Sequence, residues 1–248
     1  MDEEIKTANP LGYKKISKLL RSLAIPAIIA NLVNALYNVV DQIFIGQGIG
    51  YLGNAATNIA FPITTICLAI GLTLGIGGAS NFNLELGRGN PEKSKHTAGT
   101  AASTLIIIGI ILCISIRFFL EPLMISFGAT DKILQYAMEY TGITSYGIPF
   151  LLFSIGVNPL VRADGNARYS MIAIIVGAVL NTILDPLFMF VFHWGIAGAA
   201  WATVISQVVS ASLLLIYFPR FKSVKFSLND FIPQVHYLKR IISLGFAS

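Results

Sequence analysis

Residues 23–47 read LAIPAIIANLVNALYNVVDQIFIGQ, a stretch apolar enough to cross a bilayer that nonetheless carries a carboxylate at Asp41. About 20 mostly apolar residues span the hydrocarbon layer as a helix. A carboxylate inside such a span costs roughly 2.5–3.5 kcal/mol on insertion scales, so it calls for a partner or a task. Asn31, Asn34, Asn38 and Asp41 recur at steps of three, four and three, which predicts one shared helical face. Tyr37 falls one turn before Asp41. A polar stripe ending in an acid, inside a membrane helix, points to a lined cavity rather than to lipid contact.

The rest of the chain agrees with that environment. Its 248 residues are 55% hydrophobic and only 12% charged, with a mean hydropathy of +0.73. Soluble domains carry about 25% charged residues, so the reading is an all-α integral membrane protein. The formal charge of +5 fits basic residues held in cytoplasmic loops better than a nucleic-acid surface. Cys67 and Cys113 lie far apart in apolar runs and give neither metal spacing nor a disulfide framework.

Six spans are expected, over about 23–47, 55–78, 97–119, 137–157, 169–192 and 196–218. The second holds Gly71, Gly75, Gly77 and Gly78, small residues that let membrane helices approach closely. A dinucleotide-binding reading of these glycines needs a preceding strand, which is absent. The fourth span is interrupted at Gly147 and Pro149, and the fifth carries a second acid, Asp185, followed by Pro186. Residues 1–22 are expected as a cytoplasmic amphipathic segment and 219–240 as a basic cytoplasmic linker. With the N-terminus inside, every Lys and Arg of the 17 except Arg117 and Lys132 falls on the cytoplasmic side, a strong positive-inside bias. Residues 241–248 repeat the character of 21–26, so a second copy of the first span is expected to begin there. That makes the chain the N-terminal half of a larger protein with a parallel repeat.

At about 1.5 Å per residue, Asp41 and Asp185 fall at similar depth in the outer half of the bundle. Asn181 lies one turn from Asp185, and Thr203 of span six reaches the same level. Two carboxylates with neutral oxygen donors suit a hard cation such as Na⁺. Two acids in low dielectric also resist joint ionisation, so the group can hold a proton instead. Tyr37, Asn38, Asn34, Glu139 and Tyr140 are expected as neighbours of this layer. No catalytic residue and no cofactor beyond the coupling ion is expected. His96 and His236 read as solvated, and Trp194 as an interfacial residue.

These residues carry a resemblance. Pro26…Asn31-Leu32…Tyr37…Asp41-Gln42-Ile43-Phe44-Ile45-Gly46 is similar to the first helix of the multidrug and toxic compound extrusion (MATE) family. Leu86-Gly87-Arg88-Gly89-Asn90 resembles that family's loop after helix two. Asn181 to Phe188 and Gly195 to Thr203 resemble its helix five and six signature. The resemblance implies one six-helix lobe of a twelve-helix, two-lobe antiporter in the plasma membrane. It further implies export of amphipathic, often cationic drugs, driven by Na⁺ or H⁺, with a cation site at Asp41, Asn181, Asp185 and Thr203. The implied partners are the lipid bilayer, the drugs and the second lobe, with no nucleic acid. Two other readings make different demands on the sequence. A lipid-linked oligosaccharide flippase should place basic residues within the spans. An intramembrane aspartyl protease should carry Gly-x-Gly before its second acid, where this sequence has Thr182-Ile183-Leu184.

Overall fold

The computed structural model describes residues 16–246. Helix α1 (Ile16–Gly48) turns back through residues 49–50 into α2 (Tyr51–Gly87), and a three-residue turn leads to α3 (Pro91–Phe118). A short helix α4 (Leu120–Ser126) precedes α5 (Asp131–Thr144), which passes through a 3-10 turn at Ser145–Gly147 into α6 (Ile148–Ala163). Helix α7 (Ala167–Pro186) ends in a π turn at Leu187–Val191, and α8 (Gly195–Tyr217) completes the bundle. A strap over 218–234 then leads to α9 (Val235–Phe246). Among the described residues six helical segments are long and apolar enough to cross a membrane, α5 and α6 together forming the fourth. No strand occurs among the described residues.

The elements differ from expectation mainly in length. Helix α1, at 33 residues, is about 50 Å long, well beyond the roughly 30 Å hydrocarbon layer. Residues 16–22 are therefore continuous with the spanning helix and extend it beyond the hydrocarbon layer; residues 1–15 lie outside the described part. Pro26 is buried within this unbroken helix. The interval 79–96 expected between the second and third spans shrinks to Arg88–Asn90, because α2 runs on to Gly87 and Pro91 supplies the first turn of α3, a position where a missing N–H costs nothing. The expected linker 219–240 also shortens, since α9 begins at Val235.

The bundle interior is built from small residues. Ala56, Ala98, Ala101, Ala199, Ala200 and Ala202 are fully buried, whereas Ile28, Leu32, Leu36, Ile111 and Ile114 face outward. This distribution suits lipid, where helices associate through close packing rather than through flight from water. Helices α2 and α6 cross at Gly75 and Gly156, where a Cβ on Gly75 would meet the Gly156 carbonyl oxygen at 2.6 Å. Helix α1 leans chiefly on α7, and α7 on α8, so these three helices form one side of the bundle. Between α1 and α2 an open groove of about 530 Å³ carries Asn38, Gln42, Gln47 and Asn54.

Candidate cation site

Each acid arrives on its own helix. Asp41 is held on α1 two turns before its end, and Asp185 on the last turn of α7. Pro186 cannot donate a backbone hydrogen bond, and α7 loosens into the π turn directly after it. Such turns are frequent at functional sites. His193, at φ 57°, and Gly195, at φ 56°, then take the left-handed conformations that reverse the chain into α8.

The side chains of Asp41 and Asp185 stand within hydrogen-bond reach of one another. Asp185 is fully buried, Asn181 nearly so, and Asp41 is 7% exposed. Asn181 Nδ2 donates to Asp185 Oδ1 at 3.2 Å and reaches Thr203 Oγ1 on α8 at 3.5 Å. The Tyr140 hydroxyl from α5 joins Thr203, and Tyr37 and Tyr140 both lie in the field of the two acids. Three oxygens are left over. Asp41 Oδ1, Asn181 Oδ1 and Asp185 Oδ2 are buried and accept no hydrogen bond. Buried polar atoms are nearly always paired, so three acceptors without a donor in one layer form an acidic, oxygen-lined gap that could accept a cation or a proton. Two carboxylates in contact repel one another unless positive charge lies between them. The donor set is all oxygen, which fits a hard monovalent cation. Among the described residues no group of three or more His, Cys, Asp or Glu gathers as a metal-binding cluster.

The structure thus brings together Asp41, Asn181, Asp185 and Thr203, with Tyr37 and Tyr140 beside them. The other expected neighbours stand apart. Asn31, Asn34 and Asn38 are exposed, with Asn38 Nδ2 bonded to the Asn34 carbonyl at 2.7 Å. The single face expected for these asparagines and Asp41 is therefore divided between exposed and buried residues. The asparagines are exposed and Asp41 is buried; Asn31 and Asn38 lie some 60–80° round the helix from Asp41, whereas Asn34 shares its side to within about 20° and differs in lying two turns, roughly 10 Å, away along the axis. Glu139 is exposed on α5 and does not enter the acidic layer.

Sequence reasoning missed Gln42. Its Oε1 accepts from Thr57 Oγ1 at 3.2 Å, and its side chain lines the α1–α2 groove beside Asp41. It also missed three carboxylates at the other end of the bundle, Glu85, Asp164 and Asp230, all almost completely buried. Only Asp230 left a local trace, the Ser227-x-x-Asp230 spacing of a capping box, which the structure forms.

A family model described as MatE matches residues 26–187. A multidrug export protein MepA of Staphylococcus haemolyticus is 26% identical over 235 residues, covering 93% of this chain and 51% of its own length. A probable multidrug resistance protein YoeA of Bacillus subtilis is 26% identical, covering 86% of this chain and 46% of its own. Among solved structures, one described as a MATE P26A mutant superimposes with a TM-score of 0.88 at 29% identity, covering 96% of this chain and 53% of that one. Another, described as the outward-facing conformation of a multidrug resistance MATE family transporter, superimposes with a TM-score of 0.85 at 29% identity, over 97% and 52%. The chain spans about half the length of the curated relatives it matches.

Proposed function

This chain belongs to the MatE family, and from that premise we propose that its full-length protein is a cation-coupled exporter of amphipathic organic cations. The observation that carries the reading is the trio of unsatisfied buried oxygens on Asp41, Asn181 and Asp185. The names of the relatives, multidrug export protein and multidrug resistance protein, support the class of substrate.

In this reading Asp41, Asn181, Asp185 and Thr203 hold Na⁺ or a proton. The ion supplies positive charge between two acids that otherwise repel. With the site filled, α1 and α7 are drawn together; with it empty, the like charges favour their separation. The exposed Asn31, Asn34 and Asn38, with the groove that carries Gln42, form the wall that an organic cation meets. Ion and substrate favour different arrangements of this lobe and the second, so ion entry drives substrate exit. The bias of basic residues supports a cytoplasmic position for the strap and the start of α1.

The test uses the full-length protein in proteoliposomes. Asp41→Asn is expected to abolish ethidium efflux driven by an imposed cation gradient, with protein levels unchanged. Efflux at the native rate would remove the site assignment. A Na⁺ gradient at clamped pH, compared with a pH gradient without Na⁺, identifies the ion.

A further inference from the structure

The buried acids of this bundle are held in two ways. At the strap end they are satisfied. Asp164, in the turn between α6 and α7, is fully buried. It accepts from the Tyr217 hydroxyl at 2.8 Å, from the Lys222 N–H at 2.9 Å and from the Ser223 N–H at 2.9 Å. Asp230 caps the strap through the Ser227 N–H at 2.7 Å and faces His96 Nδ1 of α3 at 3.2 Å. Asp41, by contrast, keeps one oxygen without a donor. Besides Asp185, the side chain of Gln42 reaches its carboxylate.

Asp41 and Gln42 are neighbours in sequence and so stand about 100° apart round α1. The acid meets α7, and the carboxamide lies toward α2 and the open groove. A carboxylate only accepts hydrogen bonds, so the end of Gln42 turned to Asp41 is its NH₂. Its Oε1 is turned the other way and accepts from Thr57 Oγ1 of α2 at 3.2 Å. Thr57 sets this orientation without saturating it. The hydroxyl proton has a second acceptor in the Asn54 carbonyl at 3.0 Å, and Oε1 keeps another lone pair.

The groove suits positive charge through dipoles alone. Its polar lining residues, Asn38, Gln42, Gln47 and Asn54, are all carboxamides. Asn38 spends its Nδ2 on the Asn34 carbonyl at 2.7 Å, which leaves its oxygen as the accepting end, and Asn54 Oδ1 has no donor. A cation lying against Gln42 Oε1 polarises the amide, and the N–H at the far end becomes a stronger donor to Asp41. Asp41 then carries its charge at less cost and needs an ion less. An ion on Asp41 acts in the opposite direction. The carboxylate accepts less from Gln42, and Oε1 attracts a groove cation less.

We infer that Gln42 is a positioning residue, its carboxamide oriented by Thr57 so that an organic cation in the α1–α2 groove and the ion at Asp41 oppose each other through it, an inference that rests on the export reading above.

Binding to the purified full-length protein tests it, because affinities report the coupling without requiring transport. Ethidium binding is read by fluorescence polarisation with and without the coupling ion, supplied as saturating Na⁺ or as low pH. In the wild type the ion is expected to weaken ethidium binding at least about fivefold. Thr57→Val is expected to hold ion-free ethidium affinity within about threefold of wild type and to bring the ion effect below about twofold. Thr57→Ser, which keeps the hydroxyl, is expected to restore it. Gln42→Met, matched in length, is expected to bring the ion effect below about twofold whatever its own affinity for ethidium. A wild-type ion effect in either Gln42→Met or Thr57→Val overturns the inference and leaves direct repulsion between the two cations. The ion-dependent shift of the thermal midpoint, measured without ethidium, shows whether the ion still binds. Its loss in Gln42→Met also overturns the inference, since Gln42 would then be an ion ligand. A wild type whose ethidium binding ignores both Na⁺ and pH removes the export reading and this one with it, whereas coupled variants beside a coupled wild type remove this one alone.

Discussion

Asp41 and Asp185 share a contact that favours neither acid without a positive charge between them. This gives a prediction whose sign separates a working ion site from a structural pair. In Na⁺-free buffer at neutral pH or above, Asp185→Asn should raise the midpoint of thermal unfolding, by the equivalent of roughly 1–3 kcal/mol, as repulsion is removed and an amide can donate to an orphaned oxygen. The same variant should lose stabilisation by added Na⁺. If the pair instead contributes to folding, the midpoint falls. Asp164 is the opposite case, a buried carboxylate with all its partners in place. Asp164→Ala should lower stability by about 3 kcal/mol, because two backbone donors and a tyrosine hydroxyl lose their acceptor. Thermal unfolding in detergent would show it. Residue spacing and depth were enough to expect Asp41, Asn181, Asp185 and Thr203 at one level, and the structure brings them together there. They were not enough for Asp164, because its partners are backbone N–H groups 58 and 59 positions downstream, and backbone donors have no letter in the sequence. Nor could spacing show that Asn34 and Asn38 are exposed while Asp41 is buried, since burial depends on which helices α1 meets at each level along its length.

Among the helices, the α2–α6 crossing sets the tolerance of the bundle. Gly75→Leu should prevent native packing, because the added side chain would enter the Gly156 backbone, which cannot yield as a side chain can. Gly87→Ala, where a Cβ meets nothing within 4 Å, should be neutral or slightly stabilising, by up to about 1 kcal/mol from helix propensity. Comparing the two by size-exclusion profile and thermal unfolding tests whether position rather than glycine loss decides. Six apolar stretches, the break at Gly147 and Pro149, and the disturbance after Pro186 were all readable from periodicity and punctuation. Helix ends were not. The chain stays helical past the lipid boundary wherever local residues permit it, so hydropathy marks where the membrane is, whereas Pro91 and the left-handed glycines mark where helices stop.

The molecule as a whole has a soft side and a locked end. Helix α1 rests mainly on α7 and presents Asn38 and Gln42 to the open groove, while the strap ties the turns at the other end together through Asp164 and Asp230. The membrane setting could be read from composition, and the count of spans from the succession of apolar stretches. The strap could not, because a short basic stretch with scattered phenylalanines reads as an ordinary linker until its partners are known. Its lock has a consequence for biosynthesis. Asp164 is made long before Lys222 and Ser223, so during synthesis its carboxylate waits in water until the ribosome has released the strap. The six helices can enter the membrane one after another, but the bundle seals only as the chain moves on toward α9. Arrested nascent chains ending shortly before Lys222 should be cut readily by protease in the turn at Asp164, and chains that expose Asp230 should resist.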